Sequence, residues 1–197
     1  TLIPRPDTET LITVILEYAR GKTEDMLLPI IDIGTGSGAI GITLALELGV
    51  EVTLSDISKE ALAVAEHNAI ALAGHSFPLI EANLLSTISQ KYGIIVSNPP
   101  YLTAGWCDEV SEEVAWEPRR ALDGFGPDGL SLVRNLIEQS TTHLRSEGAL
   151  FLECDYRQVG KVATLLEEHH FKEVTIVRDL AGHERVVWGV LASCMNS

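Results

Sequence analysis

The segment Ile94-Ile-Val-Ser-Asn-Pro-Pro-Tyr101 holds the residue types best suited to chemistry. A β-rich apolar run delivers Asn98, Pro99, Pro100 and Tyr101 to its carboxyl end, the edge at which parallel sheets bind ligands. Prolines lack an N–H and favour extended backbone before them, so the Pro99 carbonyl is kept out of a helix or ladder. With the Asn98 side-chain oxygen it makes a pair of acceptors for the two hydrogens of a planar NH2 group. An amide nitrogen is a poor nucleophile because its lone pair is delocalised, the effect behind the peptide-bond rotation barrier of roughly 18–20 kcal/mol. Two acceptors on its hydrogens favour the positive charge that grows as the nitrogen attacks a methyl group, and no general base is then needed. In-line positioning supplies much of the rest, within the roughly 7–11 kcal/mol that orientation can provide. Tyr101 is suited to stack on a flat acceptor. The bland alternative is a rigid Asn-Pro turn.

A second constellation lies upstream. Asp32-Ile-Gly-Thr-Gly-Ser-Gly38 follows an apolar run and leads into a helical pattern, so Gly34, Thr35, Gly36, Ser37 and Gly38 fall where the chain turns. Glycines let a ligand lie against bare backbone, and the following helix turns its first amides toward it. Asp56 ends the next predicted strand, where a carboxylate can accept hydrogen bonds from both ribose hydroxyls, or else act as a turn or cap residue. Asp32 either holds the glycine loop or approaches the ligand. Gly36-Ser-Gly38-Ala-Ile-Gly41 also satisfies the dinucleotide fingerprint, so NAD and S-adenosylmethionine both fit this end of the site.

The elements that position these residues alternate. Strands are predicted at 28–33, 50–55, 77–81, 93–97, 149–154, 173–178 and 185–191, and helices at 8–20, 39–48, 58–73, 128–144 and 156–169, with Ser58 and Asp128 as caps. This is the pattern of a mostly parallel sheet covered by helices on both faces. Only 179–184 separates the last two strands, which predicts a carboxy-terminal antiparallel hairpin. Residues 101–127, with Trp106, Trp116, Pro118, Gly124 and Gly126, fit neither pattern and read as a wall or lid over the acceptor pocket.

The bulk numbers agree with one α/β domain over residues 1–197. Hydrophobic residues make up 46% and charged residues 21%, and no apolar run approaches the roughly 20 residues of a membrane span. The chain opens on Thr1, from which a fragment of a longer protein is expected. Cys107, Cys154 and Cys194 have neither disulfide nor zinc spacing, and the six histidines show no ligand or triad spacing, so no metal is expected and a reducing cytoplasm is the natural compartment. A net charge of −14, from 14 basic and 28 acidic residues, argues against stable nucleic-acid binding, which rests on neutralising phosphates.

Taken together, the chain resembles the HemK/PrmC family of protein-glutamine methyltransferases. The matching residues are Leu2-Ile-Pro-Arg-Pro-Asp-Thr-Glu9, Asp32 to Gly38, Ser55-Asp56, Val96-Ser-Asn-Pro-Pro-Tyr101, Glu117-Pro118, Ala121-Leu122, Asp128-Gly-Leu130 and Asp179-Leu-Ala-Gly182. The Asn-Pro-Pro-Tyr element is shared with adenine- and cytosine-amino methyltransferases, whereas the Ile-Pro-Arg-Pro-Asp-Thr-Glu segment is particular to this family. The resemblance implies a Rossmann-like class I methyltransferase fold and S-adenosylmethionine as cofactor, held at Gly34 to Gly38, Asp56, the Asn83-Leu84 position and Asn98. It implies acceptor contacts from Asn98, Pro99, Pro100 and Tyr101, and Arg5 to Glu9 near the mouth of the site. The implied substrate is the glutamine of the Gly-Gly-Gln motif of peptide-chain release factors. Asn83 stands where the family often has Asp, Asp155 replaces a small residue, and the family's helical amino-terminal domain is expected to be missing. The competing functions are amino-methylation of adenine or cytosine in DNA or RNA, NAD-linked oxidation, and a non-catalytic module that keeps the fold.

Overall fold

The computed structural model describes residues 6–100 and 124–193. In chain order, α1 (Pro6–Ala19) and α2 (Glu24–Leu27) precede β1 (Ile30–Ile33), α3 (Ala39–Leu48), β2 (Val52–Asp56), α4 (Lys59–Ala73), β3 (Leu79–Glu81) and β4 (Tyr92–Ser97). Then come α5 (Ser131–His143), β5 (Leu144–Glu153), α6 (Val159–Glu168), β6 (Phe171–Arg178) and β7 (Glu184–Leu191). The strands make one sheet in the order β3-β2-β1-β4-β5-β7-β6. Pairing is parallel except for β7, which runs antiparallel to both β5 and β6.

Alternation along the strands builds two cores. Ile30, Val52, Leu54, Ile94, Val96, Ala149 and Phe151 face a cluster with Leu11 and Ile15 of α1 and Ile42 and Leu44 of α3. Ile31, Ile33, Ile95, Leu150, Leu152 and Cys154 face the opposite cluster, with Val133 and Leu136 of α5 and Val162 and Leu166 of α6. The central strands are buried on both faces, which is why they read as unbroken apolar runs. Among the described residues no helix is long and apolar enough to cross a membrane.

The predicted elements are all present, with shifted ends. β1 starts at Ile30 because the short α2 takes up 24–27. β5 starts at Leu144, which pairs with Tyr92, so the preceding helix stops at His143; Glu147, at φ 63°, lies between this pair and the main ladder. Ser58 caps α4, its hydroxyl accepting from the Ala61 N–H at 3.1 Å. Asp128 does not cap α5: the cap position is Leu130, and the Asp128 carboxylate instead accepts from Arg134 at 3.1 and 2.6 Å. The hairpin turn is closed by Asp179, whose Oδ1 accepts from the N–H groups of Ala181 and His183, each at 2.9 Å.

Candidate active site

The chain runs outward from β1 to β3 and then returns to place β4 beside β1, so a crevice opens at the carboxyl ends of these two strands. Ile33 of β1 stands in register with Ser97 of β4, and the Ser97 hydroxyl donates to the Ile33 carbonyl at 2.7 Å in full burial. This clamp sets the two predicted constellations side by side, because Gly34 follows Ile33 and Asn98 follows Ser97.

The glycine loop is tied from three sides. Thr35 N–H donates to the Ser55 carbonyl at 2.9 Å, and the Asn68 side chain of α4 donates to the Ser37 carbonyl at 2.9 Å. Asp32 Oδ2 accepts from the Thr35 hydroxyl at 2.6 Å and from Gly41 N–H at 3.0 Å. Of the two sequence readings of Asp32, loop holder is therefore the one that its contacts describe. Burial pushes its carboxyl up to about 6, while the hydrogen bonds from Thr35 and Gly41 pull it down and the nearby Asp56 charge adds a smaller push up. Gly41 makes the arrangement sterically allowed: a Cβ there would collide with a Leu54 methyl and come within 3.2 Å of Asp32. Above Gly34 no atom of the described residues comes within 4 Å of a Cβ built on it.

Asp56 closes the loop from β2. Its Oδ2 accepts from Gly36 N–H and its Oδ1 from Ser58 N–H, both at 2.9 Å, so it is a turn residue as well as a half-exposed carboxylate facing the loop. Each oxygen retains further acceptor capacity for a ligand hydroxyl. Leu84, with φ 53°, lies beyond β3 and packs its side chain against the core cluster that includes α5; Asn83 is exposed.

Asn98 is half-buried, Pro99 buried and Pro100 half-buried at the tip of β4. The Asn98 Nδ2 donates to the Thr8 hydroxyl at 3.5 Å. Gly124 backs this tip: a Cβ on it would strike the Gly129 carbonyl and approach the Pro100 carbonyl oxygen to 2.9 Å. Tyr101, Arg5 and positions 101–123 of the predicted lid lie outside the described residues.

Two residues, Ile57 and Glu153, were not singled out from sequence, and Thr8 was placed near the mouth only as part of the Arg5 to Glu9 stretch, by resemblance. Ile57, next to Asp56, is a large apolar side chain left 66% exposed, the type that covers a flat ring. Glu153 ends β5 just past Leu152, the partner of Ser97, and is 1% exposed. Thr8, in the first turn of α1, is 6% exposed. A polar residue closing an apolar run marked Glu153, but nothing local marks Thr8 as a neighbour of Asn98.

Among the described residues, the thiol and the carboxylate just past β5 are not poised for nucleophilic catalysis. The Cys154 thiol is buried, and burial, with the Glu153 charge, pushes it up to about 12. Asp155 is held below the usual carboxylate range: burial raises it, but hydrogen bonds from Arg157 at 2.7–3.0 Å outweigh that. What the crevice holds is the Asn98-Pro99-Pro100 tip beside a glycine loop whose Thr35, Gly36 and Gly38 amides are already bonded within the protein. The antiparallel β7 also separates this sheet from the parallel six-strand order of dinucleotide-binding halves.

Known proteins share this architecture. Residues 22–127 match the family described as methyltransferase small domain. The chain is 37% identical over 193 residues to the release factor glutamine methyltransferase of Rhodopirellula baltica, covering 94% of this chain and 65% of that protein. It is 38% identical over 191 residues to that of Flavobacterium psychrophilum, covering 95% and 67%. The chain thus spans about two thirds of the length of these relatives. Among solved structures, the release factor-specific protein-(glutamine-N5) methyltransferase of Alicyclobacillus acidocaldarius superposes with a TM-score of 0.58 at 29% identity, covering 97% of this chain and 95% of the other.

Proposed function

Because the chain belongs to the release factor glutamine methyltransferase family, we propose that it moves a methyl group from S-adenosylmethionine to the side-chain amide nitrogen of the Gly-Gly-Gln glutamine of a peptide-chain release factor. The observation that carries this reading is the Ile33–Ser97 clamp, which sets the acceptor tip of β4 against the glycine loop of β1.

The residues present fit the cofactor: the loop offers, among the described residues, open space over Gly34, a half-exposed carboxylate at Asp56 and an exposed apolar side chain at Ile57. Gly34, Thr35, Gly36, Ser37 and Gly38 would cradle it, Asp56 would accept its ribose hydroxyls, and Ile57 and the Leu84 backbone would flank its base. S-adenosylmethionine, when bound, supplies an electrophilic methyl group on a sulfonium. Asn98 Oδ1 and the Pro99 carbonyl accept the two hydrogens of the glutamine amide, hold its plane and favour charge on its nitrogen. Pro100 stiffens the tip, and an aromatic residue of the type of Tyr101 is suited to stack on the amide. The methylated nitrogen then loses its proton to solvent, so no basic side chain is required.

The same reading makes residues 1–197 one catalytic domain working in the cytoplasm on a protein partner. The net charge of −14 favours that over a nucleic-acid acceptor. The test offers tritiated cofactor to the chain with a release factor and a duplex in parallel, and locates a one-methyl mass gain by mass spectrometry. Label on the release-factor glutamine is expected; label only in nucleic acid reverses the reading. Asn98→Ala is expected to bind cofactor nearly as the parent does while turnover falls by orders of magnitude, and unchanged turnover removes Asn98 from the mechanism.

A further inference from the structure

We propose that Thr8 is a positioning residue, which sets the end of the Asn98 carboxamide that faces the acceptor; the proposal rests on the reading of Asn98 given above. A carboxamide has an accepting end and a donating end of nearly the same shape. Only the oxygen can receive an N–H of the glutamine amide, and a reversed Asn98 would oppose donors to donors. The orientation therefore has to be enforced from behind.

Thr8 is the side chain in place to do so. Its Oγ1 accepts from Asn98 Nδ2 at 3.5 Å, the outer limit of hydrogen-bond reach, across 90 positions of sequence. That contact engages one of the two hydrogens of the donating end, so the NH2 group is turned toward α1 and Oδ1 is the end left to accept from the acceptor. Thr8 is held rigidly: it is buried, and Leu11 and Ile15, fully buried on the same stripe of α1, lock the helix onto the sheet. Its branched β-carbon further restricts the hydroxyl to few rotamers. A hydroxyl in a buried first turn needs a partner, and Asn98 is the side chain that provides one.

This gives the segment Pro6-Asp-Thr-Glu9 a reason to sit ahead of the glycine loop, since it orients a group delivered by β4. Thr8 itself need not touch the glutamine. Its effect is on turnover, because it acts on the geometry of the acceptor pair and leaves the cofactor crevice alone.

The experiment compares Thr8→Val, nearly isosteric but without the hydroxyl, and Thr8→Ala with Thr8→Ser. Steady-state methylation of a release factor yields kcat and KM, and calorimetry yields the cofactor Kd. In Val and Ala, kcat should fall by roughly tenfold, the weight of one lost hydrogen bond, with Kd unchanged. Thr8→Ser should stay within about threefold of the parent. A Val variant within twofold of the parent, or a Ser variant as impaired as Val, overturns the proposal. A second readout needs no substrate: the side-chain NH2 resonances of Asn98, assigned by their loss in Asn98→Ala, should move in Val and Ala but not in Ser. Unmoved resonances in Val also overturn it. Should the parent leave release factors unlabelled, the substrate reading fails while the resonances still decide on Thr8.

Discussion

Replacing Asp32 by Asn removes a charge from complete burial while keeping the outline of the side chain. Burial pushes the Asp32 carboxyl from 3.8 up to about 6, against hydrogen bonds from Thr35 and Gly41. A rise of about two units corresponds to about 3 kcal/mol. The folded value lies above the unfolded one, so between about pH 4 and pH 6 the native state binds more protons than the unfolded chain. Stability is therefore full below the unfolded value, declines as pH rises through that window and stays lowered above it. Both hydrogen bonds to Asp32 end on Oδ2, and an Asn oxygen there accepts the same two. Its NH2 then occupies the place of Oδ1, which is buried without a partner, as the hydroxyl of a protonated carboxyl also would. Asp32→Asn should match the parent near pH 4 and exceed it by about 3 kcal/mol near neutral pH. Urea unfolding followed by tryptophan fluorescence, at half-unit steps from about pH 4 to about pH 7.5, gives the difference curve. A difference that stays flat, or an Asn variant weaker than the parent at neutral pH, refutes the reasoning.

Gly41→Ala should destabilise by about 1–3 kcal/mol, since the new methyl meets Leu54 and Asp32; a thermal midpoint equal to the parent's contradicts the close approach described. Phe151→Ala should cost about 3–5 kcal/mol, because the ring is fully buried, stacked on Trp188 at 5.4 Å and edge-on to Tyr18 at 5.2 Å. Urea unfolding measures it, and a loss under 1 kcal/mol contradicts the packing. Asp128, held down to about 2 chiefly by the hydrogen bond from Arg134, contributes stability above the unfolded value that is lost as pH falls through about 2. Its side chain is 24% exposed and that of Arg134 43%, so Asp128→Asn should cost below about 1 kcal/mol and less at high salt; a larger, salt-insensitive loss speaks against a surface pair.

What could be read from the sequence was whatever local chemistry forces. Alternating apolar runs fixed the strands, and the turn at Asp179 announced the antiparallel hairpin, since 179–184 is too short for a crossover helix. Asn98 and the prolines stood out because few other roles suit two prolines at the end of a buried strand. Element ends were less legible: whether the chain at Leu144 continues as helix or begins pairing with Tyr92 depends on a neighbour 52 positions away, and Asp128 looked like a cap until Arg134 drew off its carboxylate.

The glycines show why the cofactor stayed ambiguous until the fold was known. Gly41 completes the dinucleotide fingerprint, yet what it does is let α3 approach Leu54 and Asp32, a demand of helix–strand packing that is the same for either adenosine cofactor. The fingerprint therefore reports the geometry of the βα turn rather than the ligand. Discrimination comes from residues far from the loop in sequence: the strand inserted antiparallel between β5 and the edge strand β6, and the Asn98 tip that the Ser97 hydroxyl fastens to Ile33. Thr8 extends the same logic, because a hydroxyl 90 positions from Asn98 gains meaning only when α1 docks over β5 and β7 and brings it to the tip of β4.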